Sequence, residues 1–374
     1  EGLPNGVPFV PVLGAMRHYK DGPHIHEYLG EFRKVCQEYD CFQIGEGPMT
    51  TVDSAKNYLM GPTKSLDMMF SFDHMMADCV FTEFIHRPFS LVKLKKAFSK
   101  WQYALQGKAW NSLYLENHDH PRVISRYGNE LFHRESGTML AVSYLFQQGT
   151  PFIYQGQEIG MTNIHLPSIE HYVDVLSKNN YYKYHKNDPV EKRLHRIHIS
   201  SRDSARTPMQ WDDSENAGFT TGKPWFYVNP NYKKINVAAQ EEEGEYSILN
   251  FYRRCLELRK HSKTLLYGTY REYFPKDPNL YLYERRLEDT AYLVICSFAG
   301  FPVRVPMPKP FAGKKGRLVL CNYPKEEKKA DNLLEKTQQK VDAAATKHGW
   351  FRPYEARIYR FDLTEETGEK TGKN

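Results

Sequence analysis

Between Cys41 and Tyr154, short apolar runs alternate with stretches whose apolar positions recur every three or four residues, the pattern of parallel βα units. The runs at 40–44, 68–72, 112–115 and 151–154 predict four parallel strands, each followed by polar or Gly-bearing turns. Residues 90–106 predict a helix, because Leu91, Leu94, Phe98, Trp101 and Leu105 share one face. Two further helices are predicted at 24–36 and 137–147. From Gly160 to about Gly244 the chain is polar and rich in Asn, Asp, Pro and Tyr, which predicts a loop longer than ordinary connections and therefore one with a task. A helix resumes at 247–261. Beyond Leu265 the runs at 280–286, 291–298, 317–321 and 356–361 alternate as half-buried strands do, and predict a small antiparallel β domain.

Composition narrows the class. The 374 residues, 40% hydrophobic and 14% aromatic, suffice for one large and one small domain. The net charge of +6 is a small excess of 51 basic over 45 acidic residues, interleaved along the chain, and the basic stretch 183–206 has no base-stacking module. Nucleic acid is not an expected partner. Six cysteines without a CxxC pair read as reduced and buried. No apolar run approaches the ~18 residues of a membrane span, so no membrane association is expected and the expected location is cytoplasmic. The first residue is Glu1 and a loop-like run fills residues 2–6, which suggests that an N-terminal portion is missing.

Three polar clusters follow the strand runs directly, the rim where a βα barrel builds its site. In the first, Glu46 stands between Gly45 and Gly47, which would leave room for a substrate and could partly desolvate the carboxyl. Alone it reads more readily as a loop-surface glutamate. The second packs Asn117, His118, Asp119, His120 and Arg122 into six positions; the plain alternative is a turn in which Arg122 pairs with Asp119. The third, Gln155 to Glu158, reads as structural at Gln157 and Glu158.

The order and content of these clusters resemble glycoside hydrolase family 13, the α-amylase family, and within it oligo-1,6-glucosidases and related α-glucosidases. The resemblance rests on ENHDHPRVISRYG at 116–128, GTPFIYQGQEIGM at 149–161 and SRDSARTPMQWDDSENAGFT at 201–220, supported by DGPHIHEYL at 21–29 and MMFSFDHM at 68–75. It implies the second half of a (β/α)8 TIM barrel over residues 1–264, comprising strands five to eight and an active-site loop at 160–245. A small antiparallel β-sandwich domain would occupy 265–374. It further implies Glu46 as general acid/base, Asp119 as transition-state stabiliser, His118 as a ligand of sugar hydroxyls, and Arg206, in preference to Arg202, as the arginine that pairs with a rim acid and contacts the glucose.

The family's nucleophilic aspartate ends the fourth strand in an FRxD-like segment, and this chain begins just after that point, with no Asp in its first fifteen residues. The expectation is a C-terminal portion of a retaining α-glucosidase, inactive alone, whose partners are α-linked gluco-oligosaccharides and the missing half of the barrel. No cofactor or metal is expected in this chain; a calcium site would belong to the missing N-terminal part. Sucrose isomerases carry an RLDRD segment where this chain has His74-Met75-Met76-Ala77-Asp78, which disfavours isomerisation. Trehalose-6-phosphate hydrolase and a non-catalytic carbohydrate- or partner-binding relative remain the alternatives.

Overall fold

A computed structural model of the chain describes residues 20–80, 82–324 and 349–363. The run at 2–6, the first fifteen residues with no Asp, and parts of the 265–374 stretch lie outside the described residues.

Two parallel strand pairs carry the rim. Ile44–Gly47 lies beside Met68–Ser71, with Glu46 opposite Phe70, and Ser112–Leu113 lies beside Thr150–Pro151. Aromatic side chains join the pairs. The Phe70 ring meets Tyr114 at 5.2 Å and Phe152 at 4.6 Å, both edge to face, and the Tyr114 hydroxyl donates to the Ser71 carbonyl at 2.9 Å. The first strand begins later than the apolar run at 40–44 suggests. Cys41 and Phe42 are exposed, whereas the glycines let the backbone close on its neighbour: a methyl group on Gly45 would stand 2.5 Å from Leu66 Cδ1, and one on Gly47 2.6 Å from Met69 Sδ.

The helix Leu91–Leu105 forms as predicted, opened by Ser90, whose hydroxyl accepts from Lys93 N, and Leu91, Leu94, Phe98, Trp101 and Leu105 are all buried. The next helix, His133–Leu145, starts earlier than expected. Every residue from Ser136 to Leu145 is buried, so no polar face marks its periodicity. Ile25–Glu38 and Ile248–Lys260 complete the main helices.

The stretch 160–244 is not the open loop that its composition predicts. It holds the helix Val190–Ser200, several short turns of helix, and a small apolar core of Ile164, Leu166, Ile169, Tyr172, Ile197 and Phe226. The described residues end in a five-stranded antiparallel sheet, ordered 317–321, 356–362, 290–297, 280–287, 269–273. Tyr281 and Tyr283 face the His133–Leu145 helix, while Leu280 and Leu282 face Phe311 and Phe351. The expected β-sandwich is thus reduced, among the described residues, to one sheet covered by a short ribbon of 303–304 and 350–351. The cysteines also differ from expectation: Cys79, Cys255 and Cys296 are buried, Cys36 and Cys321 half-buried, and Cys41 exposed.

Candidate functional site

The turn after the Ser112–Leu113 strand is shaped by Asn117. Its Oδ1 accepts from Asp119 N at 3.0 Å and from His120 Nδ1 at 2.7 Å, an Asx-type turn that points Asp119 outward. Oδ1 of Asp119 then accepts from Arg206 Nη2 at 2.6 Å and from Arg202 Nη1 at 3.2 Å. His118 Nε2 stands 3.5 Å from the other oxygen, with 62% of the His118 side chain and 34% of the Asp119 side chain exposed. Arg206 Nε donates to His118 O at 2.9 Å, so one guanidinium fixes both the acid and the backbone beside it. His118, Asp119 and Arg206 are therefore brought together at the surface, where an incoming molecule can reach them.

Both arginines come from one short turn of helix, Arg202–Arg206, opened by Ser201, whose hydroxyl accepts from Asp203 N. Arg202 is shared, donating through Nε to Asp174 Oδ1 at 3.0 Å and through Nη2 at 2.5 Å. Burial opposes ionisation of Asp174, but hydrogen bonds from Arg202 and Ser177 outweigh it and hold its carboxyl below the usual range. Two guanidiniums and two carboxylates thus balance in charge. Arg206 makes the shorter bond to Asp119, and Arg202, divided between Asp119 and Asp174, adds a second guanidinium to the same acid. Asp174 escaped the sequence reading altogether; the four-residue spacing of Arg202 and Arg206 was the available signal that both could serve one acid.

Arg122 does not pair with Asp119, as the turn alternative would have it. It is fully buried, and its Nη1 donates to Glu116 Oε2 at 3.1 Å and to Gln155 O at 2.7 Å, its Nε to Ser204 O at 3.3 Å. It therefore ties both strand ends to the turn that carries Arg202 and Arg206. Burial still holds the Glu116 carboxyl above its usual range, against the pull of Arg122. Gln157 is structural, donating to the Tyr144 and Tyr252 hydroxyls, and Glu158 is half-buried.

Glu46 lies on the neighbouring strand pair, separated from the Asn117 turn by Phe70 and Tyr114. It is exposed, so the described residues do not supply the partial desolvation expected of it. A side chain at either flanking glycine would crowd Leu66 or Met69 behind the strand, so packing also favours glycine there.

Donor atoms of Asp78, Cys79 and His86 lie within 4.8 Å of one another. Both Asp78 oxygens, however, accept from Arg126 at 2.7 Å, and burial, with Asp78 beside it, pushes the Cys79 thiol up to about 12. An ion pair beside a protonated thiol accounts for this group.

Residues 4–268 match the α-amylase catalytic-domain family. The oligo-1,6-glucosidase of Parageobacillus thermoglucosidasius is 42% identical over 369 residues, covering 96% of this chain and 63% of that protein. The trehalose-6-phosphate hydrolase of Bacillus subtilis is 38% identical over 91% of this chain and 59% of its own length. Among solved structures, the trehalose-6-phosphate hydrolase of Bacillus licheniformis superposes with a TM-score of 0.81 at 34% identity, over 93% of this chain and 61% of that one. The chain thus spans about three-fifths of the length of these relatives. It belongs to glycoside hydrolase family 13, the α-amylase family.

Proposed function

We propose that this chain is the C-terminal portion, its barrel part ending near residue 264, of a retaining α-glucosidase of the oligo-1,6-glucosidase kind. The observation that carries this reading is the Asp119 carboxylate, fixed by Arg202 and Arg206 at the end of a parallel strand beside the pair that bears Glu46. A retaining glycosidase uses two carboxyl groups about 5–5.5 Å apart, one attacking the anomeric carbon and one protonating the leaving oxygen. Glu46 takes the second role: it donates its proton to the glycosidic oxygen, then deprotonates the water that cleaves the glucosyl ester. Asp119, held in place beforehand, favours the positively charged transition state over the neutral ground state. His118 and Arg206 meet hydroxyls of the terminal glucose.

The attacking carboxylate comes, in this reading, from the other half of the barrel. Among the described residues the Glu46 strand has a partner on one edge only. Beside it opens a cleft of about 780 Å³, lined by Ile25, Tyr28, Phe32, Glu46 and Leu66. Tyr28 and Phe32 are 61% and 67% exposed, an apolar surface suited to burial against further strands and helices. A second reading, trehalose-6-phosphate hydrolysis, draws support from the Bacillus subtilis relative.

The test is hydrolysis of isomaltose and of trehalose 6-phosphate by the 374-residue chain and by a version extended through the FRxD segment. The extended protein should cleave isomaltose with retention, and Glu46→Gln should lower its turnover about 10²–10⁴-fold, with a smaller loss on nitrophenyl glucoside. Preference for trehalose 6-phosphate would select the second reading. Turnover by the 374-residue chain that vanishes in Glu46→Gln would show that no outside nucleophile is needed.

A further inference from the structure

Behind the rim, a narrow cavity among buried side chains leaves about 20 Å³ of room for the centre of a water molecule. That exceeds the roughly 10–15 Å³ one water needs and falls short of two. It lies where the turn after the Met68–Ser71 strand, the helix Leu91–Leu105, the strand Ser112–Leu113 and the end of the helix His133–Leu145 converge. Four of its lining residues carry a buried polar atom that, among the described residues, no other protein group reaches: Nε2 of His74, Nδ2 of Asn111, Oγ of Ser112 and Oε1 of Gln147. All four residues are at most 7% exposed.

The hydrogen-bonding character of these atoms is set by their surroundings. The His74 ring bonds the backbone of Tyr114, and burial pushes its pKa down to about 3, so the ring is neutral. Its single proton sits on the nitrogen that faces the Tyr114 carbonyl, which leaves Nε2 a bare acceptor. The Gln147 amide nitrogen donates to Ser143 O at 3.0 Å and to the Tyr281 hydroxyl at 3.3 Å, which turns Oε1 toward the cavity as a second acceptor. The Asn111 amide nitrogen is a donor, and the Ser112 hydroxyl rotates to donate. Two acceptors and two donors are the complement of one tetrahedral water.

We infer that the cavity is a binding site for a single structural water, which donates to His74 Nε2 and Gln147 Oε1 and accepts from Asn111 Nδ2 and Ser112 Oγ. Buried polar atoms are costly without a partner, and one water satisfies all four together. It also adds a link among three elements, two of which the His74 ring on the Tyr114 backbone and the Tyr114 hydroxyl on Ser71 O already join: the His74 turn, the strand leading to Asn117, and the helix that ends before Thr150. The water is thus a strut beneath the Asp119 turn.

A crystal structure of the full chain at a resolution that resolves waters provides the first measurement. The expected result is one density peak within hydrogen-bond distance of at least three of the four atoms, as well ordered as the surrounding main chain. Absence of density, or closure of the cavity by direct bonds among these side chains, overturns the inference. The second measurement is ¹⁷O relaxation dispersion, which counts long-lived internal waters in solution, on the wild type and on Ser112→Val, whose added methyl groups occupy the cavity. The variant should lose one such water, and an equal count overturns the inference. If Ser112→Val does not fold, Gln147→Leu replaces it; this variant removes one of the two acceptors and should shorten the residence time of that one water.

Discussion

Replacing Arg122 with Met is expected to damage the rim more than any single change to an exposed rim residue. The guanidinium is fully buried and bonds the Glu116 carboxylate and the carbonyls of Gln155 and Ser204. Methionine fills much of the volume but leaves a buried carboxylate whose remaining protein donor is the backbone of Val123, at 2.7 Å. Removing one partner of a buried pair costs about 3–5 kcal/mol, which for a domain of this size corresponds to a fall in midpoint on the order of 10 °C. The loss should also depend on pH. Burial already raises the native pKa of Glu116, so between its unfolded and folded pKa values the native state binds more protons than the unfolded state. The contribution of Glu116 to stability therefore falls as pH rises through that window. Without Arg122 the folded value climbs further, and the deficit of the variant should be larger at about pH 8 than at about pH 5. Urea denaturation of wild type, Arg122→Met, and Arg122→Met with Glu116→Gln measures this, the double variant recovering part of the loss. A deficit under about 1 kcal/mol, or one equal at both pH values, would refute a buried charge pair at this position.

Asp174→Ala removes the cap that accepts from Leu176 N and Ser177 N and releases Arg202 from one of its two acids; a loss of about 1–2 kcal/mol is expected, with faster amide exchange over Val175–Asn179, and unchanged exchange there would contradict the capping role. Gly149 has φ +142°, and a methyl group on it would lie 2.5 Å from Asn111 O. Gly149→Ala should therefore destabilise by about 1–3 kcal/mol in thermal melts, and a neutral result would mean that the Asn111 backbone gives way easily.

What was legible in the sequence is what repeats locally. The face of the Leu91–Leu105 helix could be read from spacing, because side-chain period and burial coincide there; the strands at 280–287 and 290–297 were legible as short apolar runs, although both of their faces are buried. The Asn117 to Arg122 cluster stood out by polar density after an apolar run. Its internal pairing did not, because Asp119 takes its partners, Arg202 and Arg206, from far along the chain, while Arg122 turns to Glu116 beside it and to Ser204. The 160–244 stretch was misread as a loop since its short turns of helix show no sustained period, although its Asn and Asp caps, such as Asp174 and Asn236, were visible. At Gly45 and Gly47 the sequence does not show the crowding against Leu66 and Met69, because those side chains lie some twenty residues on.

Buried cations connect the C-terminal sheet to the rim. Arg285, on the 280–287 strand, donates to the carbonyls of Phe146, Leu265 and Gly268 at 2.6, 2.7 and 2.7 Å. Arg259 takes those of Leu145 and Gln147 at 2.7 Å each, and that of Gly149. These are the carbonyls that helix ends leave without an internal partner, and a planar guanidinium with five donors can collect several at once. Burial pushes the two side chains down to about 9 and about 10 respectively, values that leave both charged at neutral pH. Just after Gly149 the chain enters the Thr150–Pro151 strand, and beyond it the Gln155 carbonyl is held by Arg122. A displacement of the sheet would pass through Arg285 and Arg259 to the root of that strand and through Arg122 to the turn that clamps Asp119. The antiparallel sheet therefore helps to fix the rim although it contributes no residue to it.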